Sequence, residues 1–256
     1  MASASGILLT AGIQFASAAL YLWVGEIVLR RRLDGEAKRA NALFGVWWVV
    51  LGLVFLLAPL YSISVRILGF RDLAFAVTVV NILLVMLVGA VWGLVYYLAY
   101  VYTGSTRLFW PVTAFYVALA AGLLYVIAWR DPTGFAADGA LTFAREPLAG
   151  PAAISLGLMF SLPVFTAAVA YASLFLKVRD FESRYRIGLV SGAFIVQFGW
   201  SIVSNLLQLS RRYPDSLTLT LVSNALGVLA AVGVLLAFRP PRAVREHIAL
   251  PRPGGS

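Results

Sequence analysis

Apolar residues fill this chain in seven long stretches, at 6–29, 41–61, 73–102, 108–129, 150–176, 187–209 and 216–238, joined by short polar segments. A helix needs about 20 apolar residues to cross the hydrocarbon core of a bilayer. Its backbone polar groups are then all satisfied internally, which lipid demands. The pattern predicts an all-α integral membrane bundle of seven transmembrane helices over residues 1–238. A basic, Pro- and Arg-rich tail follows at 239–256 and is expected to be disordered.

Composition agrees. The chain is 61% hydrophobic and 12% charged, against about 45–50% and about 25% for soluble domains. Lipid is the expected solvent, and the expected location is the cell membrane, as a multi-pass protein.

The net charge of +9 does not point to nucleic acid. The basic residues lie between apolar runs rather than in one patch or stripe. They sort instead by side. Arg30, Arg31, Arg32, Lys38, Arg39, Arg107, Lys177, Arg179, Arg184, Arg186, Arg239, Arg242, Arg245 and Arg252 share one side, 14 in all. Arg66, Arg71, Arg130, Arg145, Arg211 and Arg212 share the other. The richer side is expected to be cytoplasmic, which puts the N-terminus outside and the C-terminus inside. The first span has no basic segment before it and is followed by Arg30-Arg31-Arg32. It is expected to stay as a helix rather than be cleaved as a signal.

Two local features stand out between the spans. Residues 135–143 carry Asp138-Gly139 between apolar flanks, the signature of a hairpin turn. The alternative is an irregular loop. At an offset of 147, Arg32, Arg39, Gly45 and Gly52 match Arg179, Arg186, Gly192 and Gly199. That match is either a faint three-plus-one-plus-three repeat or the convergence of basic turns with glycines common in membrane helices.

Polar groups inside the spans are the candidate chemistry. An amide in hydrocarbon is costly unless hydrogen-bonded, so each should face protein or water. One side of the sixth span carries Phe194, Gln197, Ser201, Ser204, Asn205 and Gln208. The seventh offers Thr220, Asn224, Gly227 and Ala231, and the first Gln14, Ser17, Tyr21 and Gly25. The third offers Thr78, Asn81, Val85, Val88, Trp92, Tyr96 and Thr103. These rows are expected to point inward, as a pocket or as interhelical hydrogen bonding. Glu26 sits one turn from Arg30, and an i,i+4 pair is its simplest account. Cysteine is absent and the one histidine, His247, lies in the tail. Thiolate, haem and histidine–metal chemistry within the membrane are thereby excluded. No paired acids lie at membrane depth, so the reading is non-enzymatic.

Seven spans with an outside N-terminus and short loops resemble the microbial opsins. Phe198-Gly199-Trp200-Ser201 is similar to that family's tryptophan-bearing sixth helix, and Ala230-Ala231-Val232-Gly233 to its Ala-Lys-Val-Gly at the chromophore lysine. On this alignment Ala231 stands at the Schiff-base position and Gly227 at that of the seventh-helix aspartate. The resemblance implies an opsin-like scaffold with no covalent retinal, since a methyl group forms no imine. Non-covalent lipid or polyene is the cofactor class left open. SWEET-type sugar transporters are a second resemblance, through the three-plus-one-plus-three arrangement and an Asn81/Asn224 pair, although that family's prolines are missing from the first and sixth spans.

Two classes therefore lead. One is an opsin-like or receptor-like protein binding an apolar ligand among Asn81, Trp92, Gln197, Trp200, Ser201, Asn224 and Ala231. It would signal through the cytoplasmic turns 30–40 and 177–186. The other is a small-solute transporter or channel. Membrane lipid is the expected partner, with room for a homo-oligomer and for a cytoplasmic signalling protein at those turns.

Overall fold

A computed structural model describes residues 4–31, 35–136, 139, 141–145, 151–209 and 217–249, with side-chain surroundings for all of these except 151–160, 198, 200–209, 217–221, 223–224 and 247–249. Arg32, Asp138, Arg211, Arg212, Tyr213 and Arg252 fall outside the described residues.

The described chain is mostly helical. Its elements are α1 (Ala4–Leu29), α2 (Gly35–Arg66), α3 (Leu73–Thr103), α4 (Phe109–Trp129), β1 (Pro132–Phe135), β2 (Leu141–Phe143), α5 (Pro151–Lys177), α6 (Phe181–Leu209), α7 (Leu217–Phe238) and α8 (Arg242–Ala249). Each apolar stretch coincides with one long helix. The largest departures are in α2 and α6, which begin well before their apolar runs because polar residues also extend a helix into water.

Among the described residues, five helical stretches are long and apolar enough to cross a membrane: Ala4–Leu29, Gly35–Arg66, Leu73–Thr103, Phe109–Trp129 and Ala225–Glu246. In α5, the stretch Ser161–Lys177 is apolar as well. The first turns of α6 carry Glu182, Arg184 and Arg186. Leu8, Leu60, Ile82, Phe115, Val169, Ile195 and Leu229 are exposed on seven different helices. An apolar exterior this extensive has no place in water and fits a lipid solvent.

Adjacent helices pack in chain order. α1 lies between α2 and α7, α6 lies between α5 and α7, and α3 touches both α2 and α5. α4 packs on α3 and buries only Tyr116. Six helices thus surround a common centre, with α4 outside them.

Glycine sets how closely α1, α2 and α3 approach. A Cβ on Gly25 would stand 2.5 Å from Val49 Cγ2, and one on Gly52 2.8 Å from Leu22 Cγ. A Cβ on Gly45 would stand 2.6 Å from Leu29 Cγ. Small residues at such contacts let backbones approach, and dispersion then holds helices that lipid gives no hydrophobic reason to associate. Gly192 and Gly199, the apparent repeat partners of Gly45 and Gly52, meet nothing within 4 Å. The two glycine pairs do different jobs, which leaves the repeat without a shared packing role.

The centre is aromatic. Tyr21 of α1 packs on Trp48 of α2 at 5.6 Å, and Phe44 stacks on Tyr97 of α3 at 4.5 Å. Phe194 of α6 joins Trp48 at 6.3 Å and Tyr171 of α5 at 5.7 Å. The Tyr97 and Tyr171 hydroxyls are 2.7 Å apart, tying α3 to α5. These rings form one layer in the half of the bundle nearer the 30–40 and 177–186 turns.

At the opposite end β1 and β2 pair antiparallel, with Phe135 opposite Leu141 and Pro132 opposite Phe143. The expected hairpin therefore forms. Gly139, at φ 81°, lies against Val65 and Arg66 of α2, and the Arg130 guanidinium sits 3.8 Å over the Phe143 ring. The expected disorder of the tail is corrected at 242–249, where α8 forms. Arg242 and Glu246 pair across one turn at 2.9 Å, and Arg245 N–H donates to the Pro241 carbonyl at 3.0 Å. Two prolines break the chain after α7, and the i,i+4 pair then supports a short surface helix.

Candidate ligand-facing centre

The row expected on α1 does face inward. Ser17 and Tyr21 are buried, and the Ser17 hydroxyl donates to the Ile13 carbonyl of its own helix at 2.9 Å. Tyr21 reaches across to α7, where its hydroxyl donates to the Gly227 carbonyl at 2.9 Å. A Cβ on Gly227 would lie 3.0 Å from that hydroxyl oxygen, so glycine here makes the contact accessible. Gln197 of α6 lies beside the same hydroxyl. Three helices meet at this polar point, directly against the aromatic layer.

Gln197 is 8% exposed, and its Oε1 is buried with no hydrogen-bond partner among the described residues. A buried acceptor left unpaired costs about 1–3 kcal/mol. Such a group is either strained or waiting for a donor from a ligand or water. Asn81 on α3 is half-buried, and its Oδ1 is also without a partner. The indole N–H groups of Trp47 and Trp48 are buried and unpaired as well. Among the described residues, the buried Trp47 and Trp48 donors and the Gln197 acceptor are left open by protein groups.

Besides Asn81, the expected site residues separate into three groups. Gln197 and Ala231 lie in the core on neighbouring helices, and Ala231 is fully buried one turn from Gly227. Trp92 points elsewhere. Its Nε1–H donates to Thr113 Oγ1 of α4 at 3.0 Å, and its ring meets Phe109 edge-on at 6.0 Å. It anchors α4 to α3. The side chains of Trp200, Ser201 and Asn224 lie outside the described residues, as do those of Thr220, Ser204, Asn205 and Gln208.

The α3 row needs a correction. Val85 is exposed, and Tyr96 packs edge-on against Phe109 of α4 at 5.2 Å. That face of α3 looks toward α4 and lipid. The face toward the centre carries Ala90, Leu94 and Tyr97 instead, with Tyr97 placed by its contacts to Phe44 and Tyr171. Sequence reasoning missed Tyr97 and Tyr171. The signal was present, because a tyrosine deep in an apolar run needs a partner for its hydroxyl.

Glu26 behaves as its spacing implies, bridging Arg30 at 2.6 Å with both side chains largely exposed. It is an exposed ion pair and adds nothing to the centre. Among the described residues, no cluster of His, Asp and Glu could hold a metal ion. The chain matches no family model and no curated protein.

Proposed function

We propose that this chain is a seven-span, non-enzymatic membrane protein of the opsin-like or receptor-like kind, with its N-terminus outside and its C-terminus in the cytoplasm. It binds an apolar ligand non-covalently in the half of the bundle away from the aromatic layer. One observation carries this reading: the buried, unpartnered Gln197 Oε1 at the point where α1, α6 and α7 meet. An acceptor there suits an apolar molecule bearing one hydroxyl or another single donor, a lipid or polyene alcohol by class. Ala231, fully buried on α7, offers a methyl group and no covalent attachment. The aromatic layer beneath closes the centre toward the cytoplasm. Movement of α1, α6 or α7 around a ligand would reach the turns 30–40 and 177–186 through that layer.

The test is the protein as purified, examined by mass spectrometry and by its absorption spectrum. A bound apolar molecule is expected in the wild type. Gln197→Leu removes the acceptor and is expected to lower its retention about tenfold, the equivalent of one buried hydrogen bond. A wild-type protein carrying no small molecule, or a Leu variant that retains it equally, would overturn the reading.

A second reading is transport of a small solute by a three-plus-one-plus-three bundle. What favours it is the position of α4 outside the other six helices, which leaves α1–α3 and α5–α7 as two triplets. Transport predicts solute uptake by proteoliposomes that Trp48→Phe, at the aromatic closure, speeds or slows. Sealed vesicles that take up no solute with either protein would remove it.

A further inference from the structure

Outside the bundle's centre, a cleft of about 590 Å³ opens where α6 begins and α7 turns into α8. It is lined by Glu182, Arg186, Phe238, Arg239, Pro240 and Arg245. Three arginines and one glutamate line it, and that carboxylate is engaged, since Glu182 Oε1 bridges Arg186 Nη2 at 2.5 Å. The bridge leaves Arg186 Nε buried with no acceptor among the described residues. Arg242, next along the chain, is neutralised by Glu246 at 2.9 Å and does not add to the charge. A further cation stands at the cleft's apolar wall, with the Arg31 guanidinium 5.0 Å over the Phe238 ring. Like charges lining one cleft repel, and a buried guanidinium N–H without an acceptor adds to the cost. A dianionic or monoanionic oxyanion relieves both.

We propose that this cleft binds a phosphate group, and that its natural source is the headgroup of an anionic phospholipid. The fork of a guanidinium matches two phosphate oxygens, and such charge-assisted bonds are the strong ones. The setting favours a lipid over a soluble anion. Arg239 lies 5.5 Å over the ring of Trp23, which is 42% exposed on the lipid-facing side of α1. Indole rings favour the membrane–water interface, so this stack sets the cleft at headgroup depth. Trp23 offers apolar surface beside it for an acyl chain. The short α8 closes the water-facing side with Arg245. This inference needs the chain to sit in a membrane and is independent of what the centre binds.

The test uses the full chain in neutral detergent micelles, read by native mass spectrometry. The probes are dioctanoyl phosphatidylglycerol, dioctanoyl phosphatidylcholine and inorganic phosphate. One phosphatidylglycerol is expected to stay bound, with phosphatidylcholine held far more weakly because its headgroup carries no net charge. Arg186→Gln and Arg239→Gln are each expected to weaken it about tenfold, the loss of one charge-assisted bond. Arg245→Gln lies on the exposed surface of α8 and leaves the bundle's packing untouched, so its weakening of binding separates the cleft from a folding defect. Arg71→Gln, at the other end of the bundle, is expected to change nothing. Inorganic phosphate that binds as well as the lipid, and is lost in the same variants, would keep the phosphate site but assign it to a soluble ligand. Equal binding of both lipids, or an equal effect of Arg71→Gln, would overturn the proposal.

Discussion

Replacing Trp48 by alanine is expected to destabilise the folded bundle by about 3 kcal/mol, on the basis of about 24 cal/mol per Å³ for a void on the order of 130 Å³. In lipid the usual transfer term falls away, because acyl chains are as apolar as the core. The cost of the cavity remains. Trp48 is fully buried and touches Tyr21, Phe44 and Phe194, which come from three helices. Neighbouring rings held by so many contacts collapse poorly into the gap. Trp48→Phe leaves a smaller void and also removes an indole N–H that has no acceptor. The two effects oppose, and a net change under about 1 kcal/mol is expected. Phe115→Ala is the control. That ring is 60% exposed on α4, and lipid fills its place, so little change is expected. Unfolding in mixed micelles of increasing denaturing detergent, followed by helical circular dichroism, gives all three values. A loss at Phe115 as large as at Trp48 would show that the aromatic layer is not the packed centre.

The helices were legible because bilayer thickness imposes a length, and seven apolar runs of that length leave little choice of secondary structure. Which way each helix faces was legible only where polarity marked it. Ser17 and Tyr21 marked α1 correctly, and Phe194 and Gln197 marked α6. On α3 the row through Asn81 and Trp92 was misleading. Trp92 serves α4, through its bond to Thr113, rather than the centre. In water an apolar face identifies the inside. In lipid both faces of a helix are apolar, and the pattern loses that information. The same ambiguity hid Tyr97 and Tyr171, whose partner is another tyrosine far along the chain. Glycine was equally silent. Gly45 and Gly192 look alike in sequence, yet only the first carries a close helix contact. The tail helix α8 was missed because its neighbours are proline and arginine, which read as a disordered tail. The Arg242–Glu246 spacing was there to be found.

Gly93→Ala is the second large expected effect, from the smallest substitution. Gly93 of α3 is buried, and a Cβ there would stand 2.8 Å from the Leu43 carbonyl oxygen of α2. The obstacle is backbone, so no side-chain rotation relieves it. The two helices must separate by several tenths of an ångström, which loosens the Phe44–Tyr97 stack one turn away. Overpacking of this kind costs about 1–3 kcal/mol. Part of it is offset by the gain of about 1 kcal/mol that alanine brings over glycine in a helix interior. A net loss near 1 kcal/mol or above is expected. Gly89 lies one turn earlier on the same helix and meets nothing within 4 Å. Gly89→Ala collects the helix gain with no clash and is expected to be neutral or stabilising. The difference between the two alanines, at least about 1 kcal/mol in the same detergent titration, isolates the α2–α3 contact from helix propensity. If the two variants unfold alike, α3 does not approach α2 at Leu43. The closeness of α1, α2 and α3, and with it the placement of Tyr97 at the centre, would then be wrong.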